Sequence, residues 1–180
     1  MYTTSHVNLP ANAREQLVDL LNTLLASAID LHWQIKQAHW NIRGKHFISR
    51  HELFDDLAKH AREQADSFAE RAGTLGGYAE GTIRLATQNS LLPEYDLEAV
   101  DGDAHMRALV DRFARYAASI RDGIQRSEAL KDPVTVDLLT QSLGDVELDL
   151  WFLESHLTGE NRPGAPRSRK DRDAGTSSHA

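Results

Sequence analysis

The stretch QAHWNIRGKHFISRHELFDD, residues 37–56, sets His39, His46 and His51 and the adjacent Asp55 and Asp56 between two segments with helical apolar spacing. The chain has no cysteine, so any metal must be held by imidazole and carboxylate. On a helix turning roughly 100° per residue, His51, Asp55, Asp66 and Glu70 share one face about 100° wide. That is a stripe of borderline nitrogen and hard oxygen donors, suited to Fe²⁺ or Zn²⁺. Along the axis, however, His51 and Asp66 lie about 22 Å apart, whereas such ligands sit roughly 2 Å from a metal. One chain cannot close a site from this stripe. Bundles that enclose a di-iron centre within one chain use a Glu-x-x-His motif, which is absent here. The other solution is a two-fold axis that lays the helix antiparallel to its copy, bringing His51 and Asp55 opposite Asp66 and Glu70 of the partner subunit.

The elements that must position these residues are legible as helices. Over residues 11–42, Leu17, Leu20, Leu21, Leu24, Ala28, Leu31 and Ile35 recur at spacings of three and four. Pro10 suits a helix start and Gly44 a break. A second helix is predicted from Ser49, as N-cap, to Leu75, stopped by Gly76 and Gly77. Residues 78–94 are too long for a turn and too apolar for a disordered linker, which predicts a crossover carrying a short helix. A third long helix is expected over 96–126, with Met106, Leu109, Val110, Phe113 and Ile120 buried and Gly102 and Gly123 as weak points. The fourth is expected from Asp132 as cap and Pro133 in the first turn to Gly159. No run alternates with period two. The expected fold is all-α, a four-helix bundle with a long connection between the second and third long helices. That is the ferritin-like arrangement, although composition alone also permits a cytokine-type bundle.

At 180 residues the chain fits one domain with a substantial core. Formal net charge is −7, and residues 161–180 carry five Lys/Arg against two Asp, so an acidic body of about −10 bears a basic tail. Three segments are expected: an N-terminal arm over 1–10, the bundle over 11–159, and a disordered basic tail over 160–180. The first residues resemble neither a signal nor a transit peptide, and no run approaches a membrane span. A cytoplasmic protein without membrane partners is expected.

His39, His51, Asp55, Asp66 and Glu70 together resemble the inter-subunit ferroxidase pattern of the Dps family, the mini-ferritins that protect DNA in starved cells. HWNIRG at 39–44, HELFD at 51–55, ADSFAERAGTLGG at 65–77 and LWFLESHL at 150–157 are similar to words of the same family. The resemblance covers about residues 10–159. It implies a ferritin-like bundle in which His39, His51 and Asp55 of one subunit join Asp66 and Glu70 of another. It further implies a homo-dodecameric shell with metal sites at its two-fold interfaces. The implied activity is oxidation of Fe²⁺, preferably by hydrogen peroxide or else by dioxygen, with storage of a ferric mineral. Zinc would also fit the donors.

Other residues carry a functional reading beside a plainer one. Trp40, next to His39, suits either a radical trap or simple packing. His32 is expected to be packed or hydrogen-bonded, and His46 and His60 to face solvent. Glu52, Asp56 and Glu63 match positions that line mini-ferritin cavities for mineral nucleation, or form a solvated face. Asp137 resembles an acidic pore residue, or serves the helix dipole. Asp145, Glu147 and Asp149 would extend the acidic path. The first thirteen residues contain no Lys or Arg, so any DNA contact falls to Arg162, Arg167, Arg169, Lys170 and Arg172, whose alternative role is solubility. The competing functional class is a DNA-compacting protein acting through this tail. A monomeric di-iron oxygenase is disfavoured by the missing Glu-x-x-His.

Overall fold

The computed structural model describes residues 3–157, which form five helices: α1 (Ala11–Asn41), α2 (Phe47–Thr74), α3 (Ile83–Asn89), α4 (Gly102–Ala129) and α5 (Pro133–Leu157). There is no strand among the described residues. The helices α1 and α2 form one hairpin and α4 and α5 another, and the two hairpins close a four-helix bundle with α3 lying against α1 in the crossover.

Every member of the apolar stripe expected on α1 is buried, from Leu17 through Ile35. It meets Phe54, Leu57 and Phe68 of α2, Met106, Leu109 and Phe113 of α4, and Leu139 and Leu153 of α5 in one continuous core. Each fully buried Leu or Phe contributes about 1.5–3 kcal/mol. Val110 is only partly covered.

The crossover is held by polar residues spaced along the outer side of α1. The Asn22 side chain donates to the Tyr78 carbonyl and accepts from the Glu80 amide. Ser27 Oγ accepts from the Leu91 amide, Ser90 Oγ donates to Asp30, and Gln34 donates to the Pro93 carbonyl. Apart from the Ser90–Asp30 bond, which joins two side chains, these satisfy backbone groups that the crossover cannot pair internally.

Three expected boundaries move, the simplest being the end of α4 at Ala129 instead of 126, while the expected end of the fourth helix at Gly159 lies outside the described residues. The second helix starts at Phe47, not at a Ser49 cap: the chain turns through Gly44 (φ +93°) and His46 (φ +60°), and the Ser49 hydroxyl donates back to the His46 carbonyl. The third long helix starts at Gly102, not at 96, because Asp101 caps it by accepting from the Ala104 amide at 2.7 Å. Gly102 is therefore a helix start that packs on Arg50, where an added Cβ would lie 2.4 Å from Nη1. Asp132 does cap α5, and it also receives Arg71 of α2 at 2.7 Å and the Thr135 hydroxyl. At the same end, Gly76 (φ +86°) ends α2 and its carbonyl accepts from the Thr3 amide, so residues 3–10 of the arm begin pinned to the bundle.

Candidate metal centre

The corner between α1 and α2 brings His39 and His51 into contact. Their rings stack with centroids 3.6 Å apart and planes 24° from parallel. Each ring is fixed by the other residue's backbone: His39 Nδ1 donates to the His51 carbonyl at 2.9 Å, and His51 Nδ1 donates to the His39 carbonyl at 3.0 Å. A carbonyl can only accept, so both Nδ1 atoms carry a proton, and in the neutral tautomer the lone pair is on Nε2. This is the outer support that metal-binding imidazoles require.

Asp55 stands beside them, 3.6 Å from His39 Nδ1. Its side chain is 57 % exposed, and Lys36 Nζ donates to it at 2.6 Å. The hydrogen bond from Lys36 holds the Asp55 carboxyl below the usual carboxylate range, against a smaller opposing effect of burial and with help from the neighbouring imidazoles. Lys36 was not singled out by its type. The signal was its position, one turn before His39 on the same face.

Asp66 and Glu70, further along α2, are exposed. Neither has a hydrogen bond or ion pair among the described residues. Asp66 borders a groove with Leu25 and Ile29 of α1, so both halves of the stripe lie on the α1–α2 side of the molecule. Among the described residues no three His, Asp or Glu side chains of the chain are grouped closely enough to hold a metal. The donors nevertheless fit a divalent cation in chemistry: two imidazoles with free Nε2 atoms, one carboxylate beside them, and two unneutralised carboxylates at helical spacing on the same face.

The remaining candidates have varied settings. Trp40 is exposed, lies over Lys36 Nζ at 5.8 Å, and has Trp33 beside it at 6.2 Å between ring centroids. His32 Nδ1 donates to the Ala58 carbonyl at 2.8 Å, as its hydrogen-bonded reading requires, and His46 is exposed. His60 departs from the solvent-facing expectation: it is half-exposed and bonds both oxygens of Asp149 at 3.1 Å. The α2–α5 register makes that pair, which the sequence of either helix alone does not show. Glu52, Asp56 and Glu63 are exposed on α2. Asp137 is exposed and accepts from Gln141, Asp145 is exposed, and Glu147 pairs with Arg121. Asp149 is buried, and burial pushes its carboxyl above the usual range despite the hydrogen bond from His60. Arg162, Arg167, Arg169, Lys170 and Arg172 lie outside the described residues.

Residues 18–162 match the ferritin-like domain. A DNA protection during starvation protein of Agrobacterium fabrum is 38 % identical over 150 residues, covering 83 % of this chain and 93 % of that protein. The solved Dps of Mycobacterium smegmatis superposes with a TM-score of 0.82 at 32 % identity, covering 87 % of this chain and 94 % of that one. DpsC of Streptomyces coelicolor gives 0.85 at 29 % identity, with 92 % and 95 % covered. A Dps from Vibrio cholerae, described as a member of the ferritin-like diiron-carboxylate superfamily, gives 0.79 at 26 % identity, with 87 % and 98 % covered. With this bundle, this crossover and these relatives, the chain belongs to the ferritin-like proteins and, within them, to the Dps family of mini-ferritins.

Proposed function

We propose that the protein oxidises Fe²⁺ at centres shared between two copies and stores the product as a ferric mineral inside a homo-dodecameric shell. The observation that carries the reading is the pairing of two buttressed imidazoles at one end of the α2 stripe with two unpaired carboxylates at the other. His39, His51 and Asp55 supply one half of each centre, and Asp66 and Glu70 of the partner subunit supply the other. Iron is the substrate. Two Fe²⁺ ions each give up one electron, and hydrogen peroxide takes both as its O–O bond breaks, leaving as water after proton uptake. Consuming ferrous ion and peroxide together removes the reactants that generate hydroxyl radicals. We infer DNA protection from that chemistry and from the name of the Agrobacterium relative.

Secondary roles follow the same reading. Trp40, adjoining His39 in sequence, would take up an oxidising equivalent that leaves the centre. Glu52, Asp56 and Glu63 offer exposed carboxylates for mineral nucleation, and Asp137 and Asp145 for concentrating cations at a pore. Zn²⁺ substitutes at the same donors. Direct DNA contact through Arg162, Arg167, Arg169, Lys170 and Arg172 is the alternative, and truncation after Gly159 is expected to abolish salt-sensitive gel retardation if it holds.

The decisive experiment is Asp66→Ala with Glu70→Ala. Fast peroxide-driven Fe²⁺ oxidation is expected to disappear, while sizing still gives about 240 kDa, twelve copies of a 20.1 kDa chain. Unchanged oxidation, or a native mass of about one chain, overturns the proposal.

A further inference from the structure

We propose that the groove between α2 and α5 is a second divalent-cation site, built within one chain from His60 and Glu63 of α2 and Asp145 of α5, with Asp149 orienting the imidazole. It lies on the other side of α2 from the shared centre, since nine helical residues separate His60 from His51 by about 180°. The groove encloses about 330 Å³, room for an ion and its waters.

Three features point to a ligand. First, Asp149 is 2 % exposed and both its oxygens face His60 Nδ1. As a carboxylate it accepts the Nδ1 proton, which leaves the Nε2 lone pair of a half-exposed ring directed away from Asp149. A carboxylate behind an imidazole is the support found behind metal-binding histidines. Second, three cross-helix ties fix the register: His60 with Asp149, Gln64 with the Ser142 carbonyl, and Arg71 with Thr135. This antiparallel register puts Glu63 level with Asp145, one turn from the imidazole. The only cation paired with Glu63 among the described residues is Lys59, 3.8 Å away on the exposed surface. Third, Gln64 lines the same groove, is only 7 % exposed, and leaves Oε1 buried with no partner. Its Nε2 donates to the Ser142 carbonyl at 3.2 Å, so the amide orientation is set and the oxygen is the orphan. A small rotation of the side chain would turn this oxygen into the groove, where a cation, or a water bound to one, would satisfy it.

The donors line the groove rather than surround one point, consistent with the absence of a preset three-residue cluster among the described residues. Glu63 and Asp145 are exposed and close by rotamer change, with waters filling the remaining positions. One imidazole nitrogen among carboxylate oxygens selects borderline first-row ions, Fe²⁺, Co²⁺ or Zn²⁺, over Mg²⁺ and Ca²⁺.

The test is calorimetric titration of the full-length protein with Zn²⁺. His60→Ala is expected to lower the stoichiometry by one Zn²⁺ per chain, both in the otherwise unaltered protein and in the Asp66→Ala, Glu70→Ala background. Asp149→Asn, which keeps the shape, is expected to retain the site with affinity weakened about ten- to a hundred-fold. Glu63→Gln, on the exposed surface, guards against a folding defect and is expected to weaken the same binding event. Stoichiometry unchanged by His60→Ala in either background overturns the second site. Fe²⁺ oxidation that persists in the Asp66→Ala, Glu70→Ala protein would instead overturn the shared centre, so the two failures are distinguishable.

Discussion

Lys36→Met tests whether the ammonium on Asp55 competes with the incoming metal. Lys36 Nζ sits 2.6 Å from the carboxylate, with Lys36 19 % and Asp55 57 % exposed. An exposed pair of this kind contributes about 0.2–1 kcal/mol, and a cation that takes Asp55 must break it. The ammonium also repels the ion, by about 1 kcal/mol per unit of charge at roughly 4 Å in a water-like medium. With two charges on Zn²⁺, removing both costs should tighten its binding by about 2–3 kcal/mol, or about thirty- to 150-fold. Methionine keeps the buried stem, so little stability should be lost with the charge. Calorimetry in a His60→Ala background reports the shared centre without the groove. Fe²⁺ oxidation at limiting iron should rise in parallel. The pH dependence has a definite sign: Lys36 lowers the Asp55 pKa, so in the variant that pKa returns toward 3.8 and proton competition with the metal begins at higher pH. Equal or weaker Zn²⁺ binding in Lys36→Met would refute competition and make Lys36 a residue that holds Asp55 in place.

Asp132→Ala strands Arg71 at the junction of α2 and α5, where the side chains are 13 % and 3 % exposed, and should cost about 3–5 kcal/mol in chemical denaturation. Burial works against the Asp132 charge, but the Thr135 hydroxyl and Arg71 outweigh it and hold the pKa below 3.8. Its stabilisation is therefore complete above 3.8 and lost as pH falls through the lowered value. The variant should accordingly lose less stability on acidification than the parent. Gly102→Ala places a Cβ 2.4 Å from Arg50 Nη1, beside the 2.6 Å Arg50–Asp103 bridge. It should cost about 1–3 kcal/mol by overpacking, and an unchanged melting temperature would show that Arg50 simply moves aside.

How much of this was legible in the sequence follows from the range of the forces involved. The α1 stripe was legible because burial repeats with the helix period, and the crossover because its length and apolar content fit nothing else. The expected starts of α2 and α4 differ from the observed ones by three and six residues because the corner residues offer more than one place to begin a helix. Ser49 competes with the left-handed turn at His46, and the stretch before Asp101 carries no break that the helix period would register. The α2 stripe of His51, Asp55, Asp66 and Glu70 was legible for the same periodic reason. The Lys36–Asp55 and His60–Asp149 pairs were not, because each depends on the register between two helices, which core packing decides.

The stripe also contains a symmetry constraint that a chance run of acidic residues need not satisfy. Two α2 helices related by a two-fold axis pair residues about a single midpoint. If His51 faces Glu70 of the partner subunit, that midpoint falls between His60 and Ala61. If Asp55 faces Asp66 of the partner subunit, it falls at the same place. Two independent ligand pairs thus specify one axis, which favours a shared centre over a merely solvated face. The same midpoint lies level with His60, whose ring turns the other way, toward Asp149 and α5. On the proposed reading one helix presents one face to a second copy and lends the opposite face to a groove within its own chain, so disrupting the dimer should remove the first metal-binding event and spare the second.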